Sequence, residues 1–318
     1  MDLLFACLIL GIHGSLAYSL LDPSCVEYPR VSPLIYGGEA TDILNNPWMV
    51  QILKAGRHHC GGSLITPQFI LSAAHCQSKS NLTARLGYSG NSKRKVCSDG
   101  KCSSASVEIN LDRTFVHPNH FNYLYYDIAI YRLERPVQFN GKRIDFANLR
   151  AQVLMNRFLS AQIKPICVIR TFYRESQTMI LQNVGRFNVT GWGLTSEGEN
   201  SRVLQITSLA HLDRQFCTTT FRMNIDEDHI CAGDVNTGTC NGDSGGPLSA
   251  RMEFEGKVRP FLFGTTSYGA PGCRTASVFT SVMAFSDWIS NVVYLNTPRE
   301  DRSTNYFGQR RTRMYPNS

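Results

Sequence analysis

The chain has no long hydrophobic run. Its longest apolar stretch, from Leu3 to Ile12, falls well short of the about 20 residues a membrane-spanning helix needs. Also missing are CxxC pairs and HxxxH spacings, so the 11 cysteines and 8 histidines offer no zinc-ligand spacing. Sustained helical periodicity is scarce, which excludes a coiled coil or helical bundle. With 42% of residues apolar, the composition is not that of a disordered chain. The formal charge of +7 is spread along the sequence and forms no block, so it gives solubility and mild polyanion affinity but no nucleic-acid module.

What is present begins with an export signal. The Leu3–Ile12 run is followed by Ser15-Leu16-Ala17, a small-x-small site that delimits a signal peptide over residues 1–17. No Lys or Arg precedes the run, so its positive end rests on the free amine. Cleavage removes Cys7 and leaves ten cysteines, an even number that reads as a disulfide framework in an exported chain. From Pro47 to about Val293, short β-branched stretches alternate with Gly, Pro, Asn and Ser breaks: WMVQILKA, GGSLITPQFILSA, NLTARLGY, DIAIYRL, PICVIR, FNVTGWG, GKVRPFLFGTTSYG and SVFTSV. Many short strands predict an all-β barrel or sandwich. The clearest helix is VMAFSDWISNVV, with Val282, Phe285, Trp288 and Ile289 on one face. Residues 294–318, ending GQRRTRMYPNS, read as a disordered basic tail. Residues 141–160 interrupt the strand rhythm and are open to two readings, a surface insertion with a short helix or translated intron.

The chemistry-bearing stretch is CNGDSGGPL. A serine hydroxyl is a poor nucleophile at neutral pH, so it needs a histidine to take its proton, a carboxylate to orient that histidine, and N–H groups aimed at the developing oxyanion. The glycines around Ser244 let the backbone turn tightly enough to point the N–H groups of Gly242 and Ser244 at one spot. LSAAHC supplies His75 and YDIAIYRL supplies Asp127 at the head of a strand.

With IYGGEA, PWMVQI, CGGSLITPQFILSAAHC, DIAIYRLERPV, PICV, VTGWG, ICAGD, CNGDSGGPL, SYG and SVFT in this order, the chain resembles the chymotrypsin-like (trypsin family) serine proteases, especially the secreted arthropod type. The resemblance implies two packed six-stranded β-barrels with a C-terminal helix over residues 35–293, preceded by a short pro-segment, residues 18–34. It implies His75 as general base and acid, Asp127 as its orienting partner, Ser244 as nucleophile, and Gly242 and Ser244 as the oxyanion hole. It implies disulfides Cys60–Cys76, Cys217–Cys231 and Cys240–Cys273, with Cys25 tethered to Cys167 and Cys97 closing a local loop with Cys102. Activation would cut between Leu34 and Ile35, and the new amine of Ile35 would pair with Asp243, a buried pair stabilised only because both charges meet. His58 stands where the family's zymogen histidine holds that aspartate.

In this family the residue six places before the nucleophile forms the base of the primary pocket, and an aspartate there selects Arg or Lys. Here it is Gly238. The walls would be Ser267, Tyr268, Gly269 and Ser277, with Gly269 leaving the entrance open. An uncharged pocket discriminates by apolar burial, about 1–3 kcal/mol per methylene, so cleavage after apolar residues is predicted, and Leu34 itself suits such an enzyme. Asn81 in NLT is the expected glycosylation site, whereas the second sequon, Asn188, leads into a buried strand. The loop YSGNSKRKVCSDGKC is basic, so calcium is not expected, nor any other metal or cofactor. The implied partners are protein or peptide substrates, an activating protease and protein inhibitors, for a secreted monomer with no membrane or nucleic-acid partner. The rival reading is a non-catalytic secreted homologue that works by protein binding.

Overall fold

The structure is a computed structural model that describes residues 19–28, 39–90, 95–98, 101–104, 106–122, 124–137, 163–171, 173–194, 199–234, 238–270 and 272–298. The signal segment, Leu34 and Ile35, residues 141–160 and the chain beyond residue 298 lie outside the described residues.

Twelve strands make two closed barrels. The first is built from β1 (Met49–Lys54), β2 (Arg57–Leu64), β3 (Phe69–Ser72), β4 (Leu82–Leu86), β5 (Val107–Val116) and β6 (Ala129–Leu133). The second uses β7 (Arg186–Gly191), β8 (Gln205–Leu212), β9 (His229–Asp234), β10 (Pro247–Phe254), β11 (Lys257–Gly269) and β12 (Thr275–Ser281). Each closes in the same spatial order, the first, fourth, fifth, sixth, third and second of its strands, all antiparallel. Closure removes the free edges that an open sheet would expose. The order is fixed partly by tight turns. Ala55-Gly56 between β1 and β2, and Glu255-Gly256 between β10 and β11, each carry two positive φ angles, the two-residue turn that matches strand twist.

The strand residues follow the pleat. β4 alternates buried Leu82, Ala84 and Leu86 with half-buried Thr83 and Arg85, one face to the barrel core and one outward. β1 and β3 are buried on both faces except for Lys54, which their continuous apolar runs anticipate. GGSLITPQFILSA divides into β2 and β3 because the Pro67 turn intervenes, closed by the Ile65 amide donating to the Phe69 carbonyl at 2.9 Å and the Phe69 amide donating to Thr66 Oγ1 at 3.2 Å. Strands β5 and β8 have mostly half-exposed positions, so their apolar signal is weak and neither stands out in the sequence.

Three helices lie among the described residues: α1 (Arg174–Gln182), α2 (Arg214–Phe221) and α3 (Ser286–Asn296). The first two are too short to show in periodicity. Helix α2 is held instead by its cap, where the Asp213 side chain accepts from the Gln215 amide at 2.7 Å. Helix α3 extends to Asn296, into the stretch read as tail, and its Ile289 and Val293 belong to the core of the first barrel together with Val282 and Phe285. The last described element therefore closes over the first half of the fold.

Four disulfides form: Cys25–Cys167, Cys60–Cys76, Cys217–Cys231 and Cys240–Cys273. Cys97 and Cys102 are register partners across a hairpin, Lys95–Ser98 with Lys101–Ser104, and their side chains lie outside the described set. Val137 and Ile163, on either side of residues 141–160, are both buried in the first core.

Ile130 of β6 is fully buried in that core. Ile130→Ala should lower the unfolding free energy by about 2–5 kcal/mol, measured by urea titration followed by tryptophan fluorescence.

Candidate active site

The three catalytic candidates arrive from different elements. His75 sits in a single 3-10 turn, Ala74–Cys76, directly after β3, pinned by the Cys60–Cys76 bridge. Asp127 stands at the entrance to β6, and Tyr126 before it adopts φ 53°, a conformation costly for a bulky side chain and concentrated at functional sites. Stacking holds Tyr126 there: its ring lies 4.9 Å from that of His117 at 9° and packs edge-on to Phe285.

Asp127 is 1% exposed, and its carboxylate is saturated with donors. The His75 amide donates to Oδ1 at 2.9 Å, His75 Nδ1–H to Oδ2 at 2.8 Å, and the Ser267 hydroxyl to Oδ2 at 2.6 Å. Thr280 Oγ1 donates to the Asp127 carbonyl at 3.0 Å. Behind His75, the Tyr131 hydroxyl donates to the Ala73 carbonyl at 3.2 Å, and burial raises the Tyr131 pKa, so that proton stays in place. With Nδ1–H donated to the carboxylate, Nε2 is the ring nitrogen left to accept. Ser267, read from sequence as a pocket wall, thus also serves Asp127. Thr280 and Tyr131 were not foreseen, since nothing in a strand sequence tells which hydroxyl meets a distant carboxylate.

Ser244 is set against the first barrel. Its carbonyl accepts from the Gly61 amide at 2.8 Å, and a Cβ on Gly245 would come 1.9 Å from Ser72 Oγ, so only glycine permits this approach. No hydrogen bond joins Ser244 to His75 among the described residues, an arrangement common where no substrate is bound. Gly242 has φ +94°, open to glycine and costly for other residues. The Asn241 carbonyl accepts from the Leu194 amide at 2.8 Å. This fixes the peptide plane and leaves the Gly242 N–H, on its opposite edge, without a protein acceptor among the described residues. The Ser244 N–H is free in the same sense.

Asp243 points the other way, into the protein. Its Oδ1 accepts from the Gly193 amide at 2.8 Å and its Oδ2 from the Cys240 amide at 3.0 Å. Burial outweighs these two bonds and pushes its pKa up from 3.8 to about 6. His58 does not touch this carboxylate. Its Nε2–H donates to the Gly242 carbonyl at 2.8 Å, and burial lowers its pKa, keeping the ring neutral.

The expected pocket residues come together, but they meet. Ser277 Oγ accepts from the Thr239 amide at 3.1 Å and from the Thr239 hydroxyl at 2.8 Å. A Cβ on Gly269 would lie 2.9 Å from the Thr239 carbonyl and 3.2 Å from Ser277 Oγ. The open entrance expected at Gly269 is therefore closed in this structure, by Thr239 rather than by a larger side chain. At the base, a Cβ on Gly238 would lie 3.0 Å from the Cys273 carbonyl.

Residues 35–289 match the family described as Trypsin. Chymotrypsin-C of Mus musculus is 32% identical over 84% of this chain and 91% of its own length. The suppressor of tumorigenicity 14 protein homolog of Bos taurus is 32% identical over 80% of this chain, which spans only 28% of that protein. The crystal structure of the drosophila Grass clip serine protease of the Toll pathway superposes with a TM-score of 0.66 at 26% identity, covering 84% of this chain and 74% of that one. The chain belongs to the trypsin family, with its chymotrypsin-like serine protease domain.

The raised Asp243 pKa has a testable sign. A carboxyl whose folded pKa lies above its unfolded value adds stability at low pH that is lost as pH rises through the folded value. The stability of the uncleaved protein, relative to an Asp243→Asn variant, should fall between about pH 4 and pH 6 and stay level above, as read by urea unfolding across that range.

Proposed function

We propose that the protein is a secreted serine endopeptidase made as a zymogen, which hydrolyses peptide bonds after apolar side chains through Ser244, His75 and Asp127. The observation that supports this reading is the 2.8 Å contact between His75 Nδ1 and the buried Asp127 carboxylate. With Nδ1–H donated to Asp127, Nε2 is left to take the proton of Ser244 as its oxygen attacks the scissile carbonyl. The imidazolium that forms is stabilised by the buried carboxylate and returns its proton to the leaving amine. The N–H groups of Gly242 and Ser244 receive the oxyanion. Water then enters, His75 takes its proton as the water oxygen attacks the acyl carbon, and the bond to Ser244 Oγ breaks, releasing the acid while His75 returns the proton to Ser244.

The zymogen reading is supported by Asp243 and by the pocket. A buried carboxylate with a raised pKa is short of a counter-charge, and the α-amine of Ile35, freed by cleavage after Leu34, is the cation this proposal supplies. Its arrival would draw the loop that carries Asp243 and Cys240 toward it and separate Thr239 from Gly269 and Ser277. Pairing would also push the Asp243 pKa below the usual carboxylate range and reverse the slope described above, with stability then lost as pH falls. The opened pocket would have no charge at Gly238 and an apolar preference. The rival reading is a secreted homologue that binds proteins without cutting them. The extracellular setting rests on residues 1–17 and on the disulfides, and no helix among the described residues is long and apolar enough to cross a membrane.

Cleavage at Leu34–Ile35, verified by N-terminal sequencing, should convert the protein from unreactive to stoichiometrically labelled by a fluorophosphonate, and Ser244→Ala should abolish labelling. Chromogenic peptides should then be cut after Leu, Phe, Tyr or Met. Faster cleavage after Arg contradicts the pocket assignment, and a cleaved protein that resists the probe is the binder.

Glycosylation gives an independent check on export. Asn81 is exposed, whereas Thr190 of the second sequon is fully buried. Asn81→Gln should remove the whole mass shift seen on glycosidase treatment of the secreted protein.

A further inference from the structure

The segment that leads into β6 is gripped at two points by the second barrel. Thr280 Oγ1 of β12 holds the Asp127 carbonyl at 3.0 Å. Three residues earlier in the chain, the Leu124 carbonyl lies 2.9 Å from Nε2 of His229, the first residue of β9. His229 and Thr280 are register partners across β9 and β12, so the two grips come from neighbouring positions of one sheet. Between the gripped carbonyls stands Tyr126 at φ 53°, a conformation that persists only where its surroundings over-determine it.

The His229 ring is placed to hold rather than to fill. It is 5% exposed, and a buried polar ring is retained only where its nitrogens find partners. Both do: Nδ1 lies 2.6 Å from Asp226 Oδ1, and Nε2 meets the Leu124 carbonyl. Asp226 Oδ1 also accepts from the Asp228 amide at 3.0 Å. Oxygen acceptors on both sides are satisfied together only by a ring that carries both protons, with the Asp226 carboxylate as counter-charge. The other charged groups on this turn are Glu227 and Asp228, which Arg174 of α1 approaches at 2.6 and 4.0 Å. On the far side the ring meets only a carbonyl, because the Asp127 carboxylate beyond it is turned to His75 and Ser267.

We propose that His229 is a positioning residue for the reaction: its Nε2–H clasps the Leu124 carbonyl and, together with Thr280, fixes residues 124–127 so that the Asp127 carboxylate meets His75 in line. It acts through the backbone of that segment and not on the substrate. Its effect on rate rests on the catalytic roles proposed above for Ser244, His75 and Asp127, whereas the clasp itself is a property of the folded chain.

Nuclear magnetic resonance of the isotope-labelled, full-length secreted protein tests the clasp without catalysis. The His229 ring, assigned through its own backbone amide, should carry protons on both nitrogens, and the proton between His75 Nδ1 and Asp127 should give one far-downfield resonance. His229→Phe keeps a buried ring but removes both donors, and should shift or broaden that resonance. His229→Gln, whose amide still donates toward Leu124, should restore it. After cleavage at Leu34–Ile35, His229→Phe should lower kcat on a peptide cut after Leu about tenfold or more with KM within about twofold, as loss of alignment predicts, and His229→Gln should recover most of the loss. A bare Nε2 on His229 in the unmutated protein overturns the proposal, and this measurement stays decisive if His229→Phe does not fold. An unchanged His75 resonance in His229→Phe overturns it as well, as does an unchanged kcat. If no cleaved form reacts with a fluorophosphonate, the proteolytic reading fails by itself and the two resonances still decide the clasp.

Discussion

The carboxylate of Asp127 is the point at which the two barrels become one device. The first barrel contributes the carboxylate itself and the two donors of His75, one from the backbone and one from the ring. The second reaches across with the Ser267 hydroxyl and, through the Asp127 carbonyl, with Thr280. A carboxylate 1% exposed to solvent would carry a desolvation penalty of several kcal/mol if left alone. Three donors offset that penalty, and each also fixes an orientation. The ring of His75 cannot turn without losing its partner, and the β11 strand that bears Ser267 cannot shift without disturbing the carboxylate.

Asp243 presents the opposite electrostatic case. It too is buried, but its two partners are backbone amides with no net charge, and its pKa rises accordingly. The contrast between two aspartates in one site shows that hydrogen-bond number alone does not decide a buried acid's state. The same loop carries Gly242, whose N–H meets no acceptor among the described residues, and Cys240, bridged to Cys273. Charge at Asp243, the N–H groups proposed to receive an oxyanion and Thr239 of the proposed pocket therefore lie on one segment, Thr239 to Ser244.

Much of this was legible in the sequence, for local reasons. His75, Asp127 and Ser244 each lie in an extended motif; the many short apolar strands between turn residues predict an all-β barrel or sandwich, and the two-barrel arrangement is what the family resemblance implies. Strands β5 and β8 were hidden because their faces are half exposed and carry little apolar pattern. Helices α1 and α2 were hidden because both are too short to show periodicity, and α2 is defined instead by its Asp213 cap and the Cys217–Cys231 disulfide. The closure of the pocket could not be read, since it depends on Thr239 and Ser277, residues far apart in sequence whose hydroxyls meet only after β12 pairs with β9 and β11. The bond from Ser267 to Asp127 was not foreseen for a related reason: a residue can line a pocket with its backbone and serve a carboxylate with its side chain. The expected contact between His58 and Asp243 is replaced by one to the neighbouring carbonyl, a displacement of one residue that spacing alone does not resolve.

The crossing of α3 onto the first barrel bears on how the chain acquires its shape. The first barrel is complete in its strands by Leu133, yet part of its apolar surface is covered only by Val282, Phe285, Ile289 and Val293. During synthesis that surface stays open until almost the whole domain has been made, so the half that forms first cannot become fully protected first. Residues 282–293 act as a seal on early work, and the domain reaches its protected state only once they have been made.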